Sequence, residues 1–118
     1  MAELIVYGIR NCDTVKKALT WLDNNKISYT FHDFKSKGIS DAKLREWINQ
    51  VGWESLVNRK GMTWRQLDEG TKARVTSTTS AIAIMKEKTS VIRRPVIERN
   101  SELITLGYDE EEFKRKLK

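Results

Sequence analysis

Residues 4–34 read LIVYGIRNCDTVKKALTWLDNNKISYTFHDF, and the fold is decided there. Leu4-Ile5-Val6-Tyr7 is short, β-branched and free of charge, the pattern of a strand buried on both faces. Gly8 ends it, and Ile9-Arg10-Asn11-Cys12 makes a short loop. Val15, Ala18, Leu19 and Leu22 then recur at helical spacing, with Lys16, Lys17 and Asp23 on the other face and Asp13 and Thr14 in the first turn. Asn24-Asn25-Lys26 punctuates the helix end. Ile27, Tyr29, Phe31 and Asp33 alternate with Ser28, Thr30, His32 and Phe34, which predicts a second strand. Strand, helix and strand in so short a span form a βαβ unit, which implies a parallel pair with a right-handed crossover.

Downstream the pattern changes. Ser40 is placed to cap a helix whose inner face is Leu44, Trp47, Ile48 and Val51, stopped by Gly52. Shorter helical pieces follow at Trp53 to Val57 and Thr63 to Leu67. A longer one near Ser80 to Lys86 carries Ile82, Ile84 and Met85, and nothing from residue 40 to 89 reads as a strand. Trp47, Trp53 and Trp64 are predicted to lie in the core, being too large to leave in solvent. Pro95-Val96-Ile97 and Glu102 to Leu106 then read as two strands around the turn Arg99-Asn100-Ser101, and Asp109 caps a last helix with Phe113 and Leu117 inward. The expected chain is one α/β domain over residues 1–118, ordered β-α-β, helical insertion at about 40–89, β-β-α, with a mixed four-stranded sheet.

Composition narrows the classes of function. The 118 residues are 39% apolar and 32% charged, which suits a folded domain large enough to need no metal or disulfide staple. No stretch approaches a membrane span, and the opening residues have no signal-peptide pattern. The single cysteine cannot form an internal disulfide, so a reducing, cytoplasmic setting is expected. The net charge of +6 favours anionic partners. Its cations are interleaved with acids, as at Lys43, Arg45 and Glu46, and Lys114-Arg115-Lys116 complements the dipole of the last helix. A solvated basic surface accounts for this better than nucleic-acid binding. The expectation is a monomer with no nucleic-acid and no membrane partner.

Cys12 carries the chemistry. It follows a strand and a tight loop and precedes an amphipathic helix, where unpaired backbone N–H groups and the helix dipole stabilise an anion. Most lone cysteines are buried and inert. Here Arg10, Asn11, Asp13 and Thr14 are polar, so the sulfur is expected to face water and to titrate below its free value. Asp13 opposes that shift. The position that would complete a C-x-x-C pair is Val15, so a mixed disulfide on Cys12 needs an external resolving thiol, for which glutathione is the obvious choice. Arg93-Arg94-Pro95 contains the only proline, a candidate cis residue at the start of the third strand. From there Arg94 is expected to place a cation beside the sulfur or an anionic substrate. Arg59 lies in the polar loop Asn58 to Gly61, and Asn11 and Thr14 complete the expected anion- or glutathione-binding set. His32, alone and mid-strand, is read as structural, and no metal site is expected.

Tyr7-Gly-Ile-Arg-Asn-Cys-Asp-Thr-Val-Lys-Lys-Ala18, Phe31-His-Asp-Phe34, Val51-Gly-Trp53, Leu56-Val-Asn-Arg59, Thr63-Trp-Arg65 and Ile92-Arg-Arg-Pro95 together resemble the arsenate reductase (ArsC) and Spx-like family, most closely its YffB-type reductases. The resemblance runs through nearly the whole chain. It implies a thioredoxin-like fold with a helical insertion, Cys12 as nucleophile, and Arg59 and Arg94 as two of the arginines around the thiol. It departs where glutaredoxin-linked arsenate reductases carry a further arginine, since Thr105-Leu-Gly-Tyr108 has no cation. The expected activity is therefore a thiol-dependent oxidoreductase. It would be a glutathione-dependent thiol/disulfide reductase with glutathione as co-substrate, no bound cofactor, and glutaredoxin as a further partner. The alternatives are arsenate reduction and a non-catalytic Spx-like regulator that binds RNA polymerase.

Overall fold

The computed structural model describes residues 3–118. In chain order the elements are β1 (Leu4–Gly8), α1 (Asp13–Asn24), β2 (Tyr29–Asp33), α2 (Phe34–Lys37), α3 (Asp41–Val51), α4 (Trp53–Leu56) and α5 (Met62–Arg65). They continue with α6 (Glu69–Arg74), α7 (Thr78–Glu87), a 3-10 turn at Thr89–Val91, β3 (Val96–Arg99), β4 (Glu102–Leu106) and α8 (Glu110–Leu117). The chain divides into two compact units, one running to Lys37 and resuming at Arg94, the other spanning Gly38–Arg93.

The first unit is built on a sheet of order β2-β1-β3-β4. β1 pairs with β2 in parallel, from Leu4 opposite Tyr29 to Gly8 opposite Asp33, while β1–β3 and β3–β4 are antiparallel. This mixed four-stranded sheet flanked by helices is the thioredoxin-like arrangement. Alternation along β1 sends Leu4 and Val6 to one face and Ile5 and Tyr7 to the other. Leu4, Val6 and Ile97 join Ala18, Trp21 and Leu22 of α1 and Phe113 and Leu117 of α8 in one buried cluster. Trp21 and Tyr108 meet the Phe113 ring edge-on, at centroid distances of 5.3 and 4.9 Å. Each such buried side chain contributes about 1.5–3 kcal/mol by removal from water, so the cluster fixes α1 and α8 to that face. On the other face, Tyr7 donates a 2.6 Å hydrogen bond to buried Glu98 across β1 and β3.

Two boundaries are corrected. The second strand stops at Asp33, because the Asp33 side chain accepts the Lys35 N–H at 2.9 Å and turns Phe34 into the first residue of α2. The third strand starts at Val96 and leaves Pro95 in the preceding loop. The hairpin turn has Asn100 and Ser101 both at positive φ, 53° and 65°, which matches the right-handed twist of the strands it joins.

In the second unit, Ser40 Oγ accepts the Lys43 N–H to open α3, and Gly52, at φ 83°, ends it. α7 opens on a capping box between Ser77 and Ser80. α3 packs against α7, where Lys86 pairs with Asp41. Leu44, Trp47, Leu56, Ala81, Ile82, Met85, Val91 and Ile92 are buried. The extended backbone here is an isolated antiparallel bridge between Val57 and Ile92. Of the three tryptophans predicted in the core, only Trp47 is sealed, and Trp53 and Trp64 are half-buried. They belong to four-residue helices, too short to present an inward stripe. α6, which carries no apolar periodicity, was not predicted; the Asp68 side chain caps it by accepting the Thr71 N–H.

Candidate active site

The site begins with a close approach. Gly8, the buried last residue of β1, lies so near the first turn of α1 that a Cβ there would sit 2.8 Å from Val15 Cγ2. The chain crosses between them in a tight turn, closed by the Cys12 N–H donating to the Ile9 carbonyl at 3.2 Å. Cys12 is thereby the N-cap residue of α1, extended at φ −95° and ψ 123°. Its side chain closes no cap hydrogen bond, yet the Val15 and Thr14 N–H groups point toward the sulfur and act on its charge.

The electrostatics have opposing signs. Partial burial pushes the Cys12 thiol up. The Val15 N–H, the Arg94 guanidinium beside the sulfur and the Thr14 N–H together pull it down by more, so the thiol titrates below the ordinary cysteine range. These contacts favour the thiolate without any neighbouring base.

Arg94 reaches this place from the loop before β3. Its peptide bond to Pro95 is cis, and the Pro95 carbonyl accepts the Gly107 N–H at 2.8 Å, tying the end of β4 to the same loop. Val96 then sits opposite Tyr7, near the end of β1. Arg93 belongs to the helical unit, where its Nε donates to the Ser55 carbonyl at 3.0 Å and its backbone N–H to the Leu56 carbonyl at 2.7 Å.

The structure thus brings Arg94 to Cys12 and leaves Asn11 and Thr14 exposed on either side of it in the same segment. Arg59 lies in the helical unit, exposed, with its guanidinium 5.3 Å from the centre of the Trp53 ring. His32 packs against Tyr7 with tilted rings at a centroid distance of 4.8 Å and meets Phe34 edge-on at 6.0 Å, an aromatic role. Among the described residues no group of three or more His, Cys, Asp or Glu is arranged to hold a metal.

Two residues escaped the sequence reading. Glu98 is 2% exposed and holds the Tyr7 hydroxyl, but a carboxylate inside a predicted strand carries no mark of burial. Arg10 was seen only as a polar neighbour of Cys12. It spans to β2, with Nε 3.9 Å from Asp33 Oδ2 and the guanidinium 4.9 Å from the centre of the Phe31 ring. The visible signal was a cation two residues before the cysteine; its partners depend on the parallel register.

A sequence profile of the ArsC family matches residues 7–116. The chain belongs to the ArsC family. Within it, a solved YffB protein superposes with a TM-score of 0.90 at 41% identity, over 98% of this chain and 99% of that one. An arsenate reductase-related protein from Brucella melitensis gives 0.78 at 39% identity, over 98% and 95% of the two chains. The global transcriptional regulator Spx 2 of Lactococcus lactis is 26% identical over 94% of this chain and 83% of its own length. The family resemblance read from the sequence is therefore shown, and ArsC-family proteins span reductase-like and regulatory members. Among the described residues no helix is long and apolar enough to cross a membrane.

Proposed function

We propose that this protein is a glutathione-dependent thiol/disulfide reductase in which Cys12 is the sole protein nucleophile. One observation carries the reading: a thiol with lowered pKa at the start of α1, flanked by Arg94, with Val15 where a resolving cysteine would stand. The Cys12 thiolate attacks one sulfur of a substrate disulfide. A new S–S bond forms to Cys12, the old one breaks, and the other half leaves as a thiolate that takes a proton from water. A glutathione thiolate then attacks the substrate sulfur of the mixed disulfide. Cys12 leaves as thiolate, and the substrate departs as a disulfide with glutathione, so the electron pair comes from the glutathione thiol. No bound cofactor is needed. Glutaredoxin is the proposed downstream partner, and the proposed working form is a monomer in a reducing compartment.

Arg94 steadies the Cys12 thiolate. Asn11 and Thr14 offer polar contacts to the incoming anion, and Arg59 enters the reading through the family resemblance. The test is incubation with oxidised glutathione followed by intact-mass measurement. A single adduct on Cys12, reversed by free glutathione or glutaredoxin, is expected. No adduct on a Cys12 that alkylates freely would overturn the reading.

The likeness to an Spx regulator favours one competitor, a protein that docks on RNA polymerase without turnover. Val15 removes the two-cysteine switch that such a regulator would use. Recovery of the polymerase α-subunit on the immobilised protein, together with no adduct on Cys12, would make that reading the better one.

A further inference from the structure

We propose that Arg10 sets the substrate specificity of this thiol by binding a carboxylate of the incoming thiol or disulfide on the β2 side of Cys12. The inference rests on the thiol-reductase reading and adds a residue to it.

Arg10 and Cys12 share the turn closed by the Cys12 N–H and the Ile9 carbonyl. The Arg10 guanidinium lies 4.9 Å over the Phe31 ring, and its Nε faces Asp33 at 3.9 Å. Asp33 is itself held by accepting the Lys35 N–H. The ring and the carboxylate orient the guanidinium before a ligand arrives, which lowers the entropy that a flexible arginine would lose on binding. The Asp33 contact is long and engages Nε, and the Arg10 side chain remains 71% exposed. Its planar guanidinium fork matches a carboxylate.

Topology gives the pairing its meaning. β1 lies between β2 and β3; the turn at its end sends Arg10 over Phe31 of β2, while Arg94 arrives beside the sulfur from the β3 loop. Glutathione has a carboxylate at each end and its sulfur between them. In the proposed complex one carboxylate of such a ligand is held by Arg10 while its sulfur meets Cys12 beside Arg94, and a neutral disulfide gains neither contact.

The experiment compares second-order rates of mixed-disulfide formation on Cys12 at fixed pH with oxidised glutathione, neutral 2-hydroxyethyl disulfide and cationic cystamine. Arg10→Ala is expected to slow the glutathione reaction roughly tenfold, as for one charge-assisted contact. The hydroxyethyl disulfide rate should change by less than about twofold, because the thiol itself is intact. Arg10→Glu should turn the preference toward cystamine, and Arg10→Lys should restore part of the glutathione rate. Equal slowing with all three disulfides would mean that Arg10 acts on the thiol or the turn, and would overturn the inference. An undiminished glutathione rate in Arg10→Ala would overturn it as well, leaving the reductase reading intact. No glutathione adduct in the unmodified protein would defeat both.

Discussion

Arg93 and Arg94 are adjacent and chemically alike, yet the fold uses them differently. Arg94 lies beside the Cys12 sulfur, whereas Arg93 donates to the Ser55 carbonyl. Arg94→Ala should therefore raise the thiol pKa, shift the alkylation rate–pH profile to higher pH, and slow alkylation at neutral pH roughly threefold to tenfold. Arg93→Ala should leave that profile in place while removing a hydrogen bond worth about 0.5–1.5 kcal/mol, measurable by urea unfolding. The sign extends to stability. The folded protein holds the thiolate more readily than the unfolded chain, so the wild type should gain on Cys12→Ser as pH rises from the lowered thiol value. The gain should be complete above the ordinary cysteine value of about 8.5, and it is lost again as pH falls. Arg94→Ala should narrow that window. Arsenate is a second check at this scale, since Thr105 to Tyr108 contributes no cation. Turnover in a glutaredoxin-coupled assay should fall at least roughly tenfold below that of a relative with the third arginine. Gly107→Arg is a poor remedy, because Gly107 sits at φ 82° and a side chain there strains the backbone by about 1–3 kcal/mol.

Among the elements, the β1–α1 junction is the most constrained. A methyl group on Gly8 would run into the stiff, fully buried Val15 side chain. Gly8→Ala should destabilise the protein by about 1–3 kcal/mol in chemical denaturation and alter Cys12 reactivity at the same time, because the turn starts from that strand end. β1, α1, α3, α8 and the hairpin strands were legible in the sequence because each combines an apolar run or a periodic apolar face with a capping or turn residue. Ser40, Gly52 and Asp109 mark their ends by local chemistry alone. The misplaced boundaries have a different origin. Period-two alternation ran on through Phe34, but a side-chain-to-backbone bond at Asp33 broke the strand. α6 is held by a cap and exposed ion pairing between Lys72 and Glu69, with no inward stripe to announce it. Cys12 and Arg94 were legible as candidates from position and charge. Arg10 was not, since its ring and carboxylate partners come from a strand whose register only the folded sheet defines.

For the molecule as a whole, the net charge of +6 sets the field in which anionic disulfides arrive. Raising ionic strength from about 10 to about 150 mM shortens the screening length from roughly 30 to 8 Å. The rate with oxidised glutathione should fall accordingly, while the rate with hydroxyethyl disulfide should stay level. Stopped-flow measurement at several salt concentrations checks this, and parallel slopes for the two disulfides would refute a steering role. The helical segment was legible as an insertion through its lack of strand patterning. The helical unit spans Gly38–Arg93, and the sequence offers the insertion at about 40–89.

β1 is the second strand in the sheet, and its two neighbours reach it at very different times. β2 follows within the same βαβ unit, but β3 supplies Val96 to Tyr7 only after the whole helical segment has been made. At about 5–20 residues per second, a ribosome leaves that edge of β1 without its partner for roughly 5–20 s. The edge belongs to an apolar strand, the kind of surface that templates association between nascent chains. Once both segments exist, closing the longer loop costs only about 1 kcal/mol more than closing the shorter one, so the delay is one of synthesis rather than of thermodynamics. Chains stalled before Pro95 should bind chaperones that recognise extended apolar segments, and chains released past Leu117 should shed them.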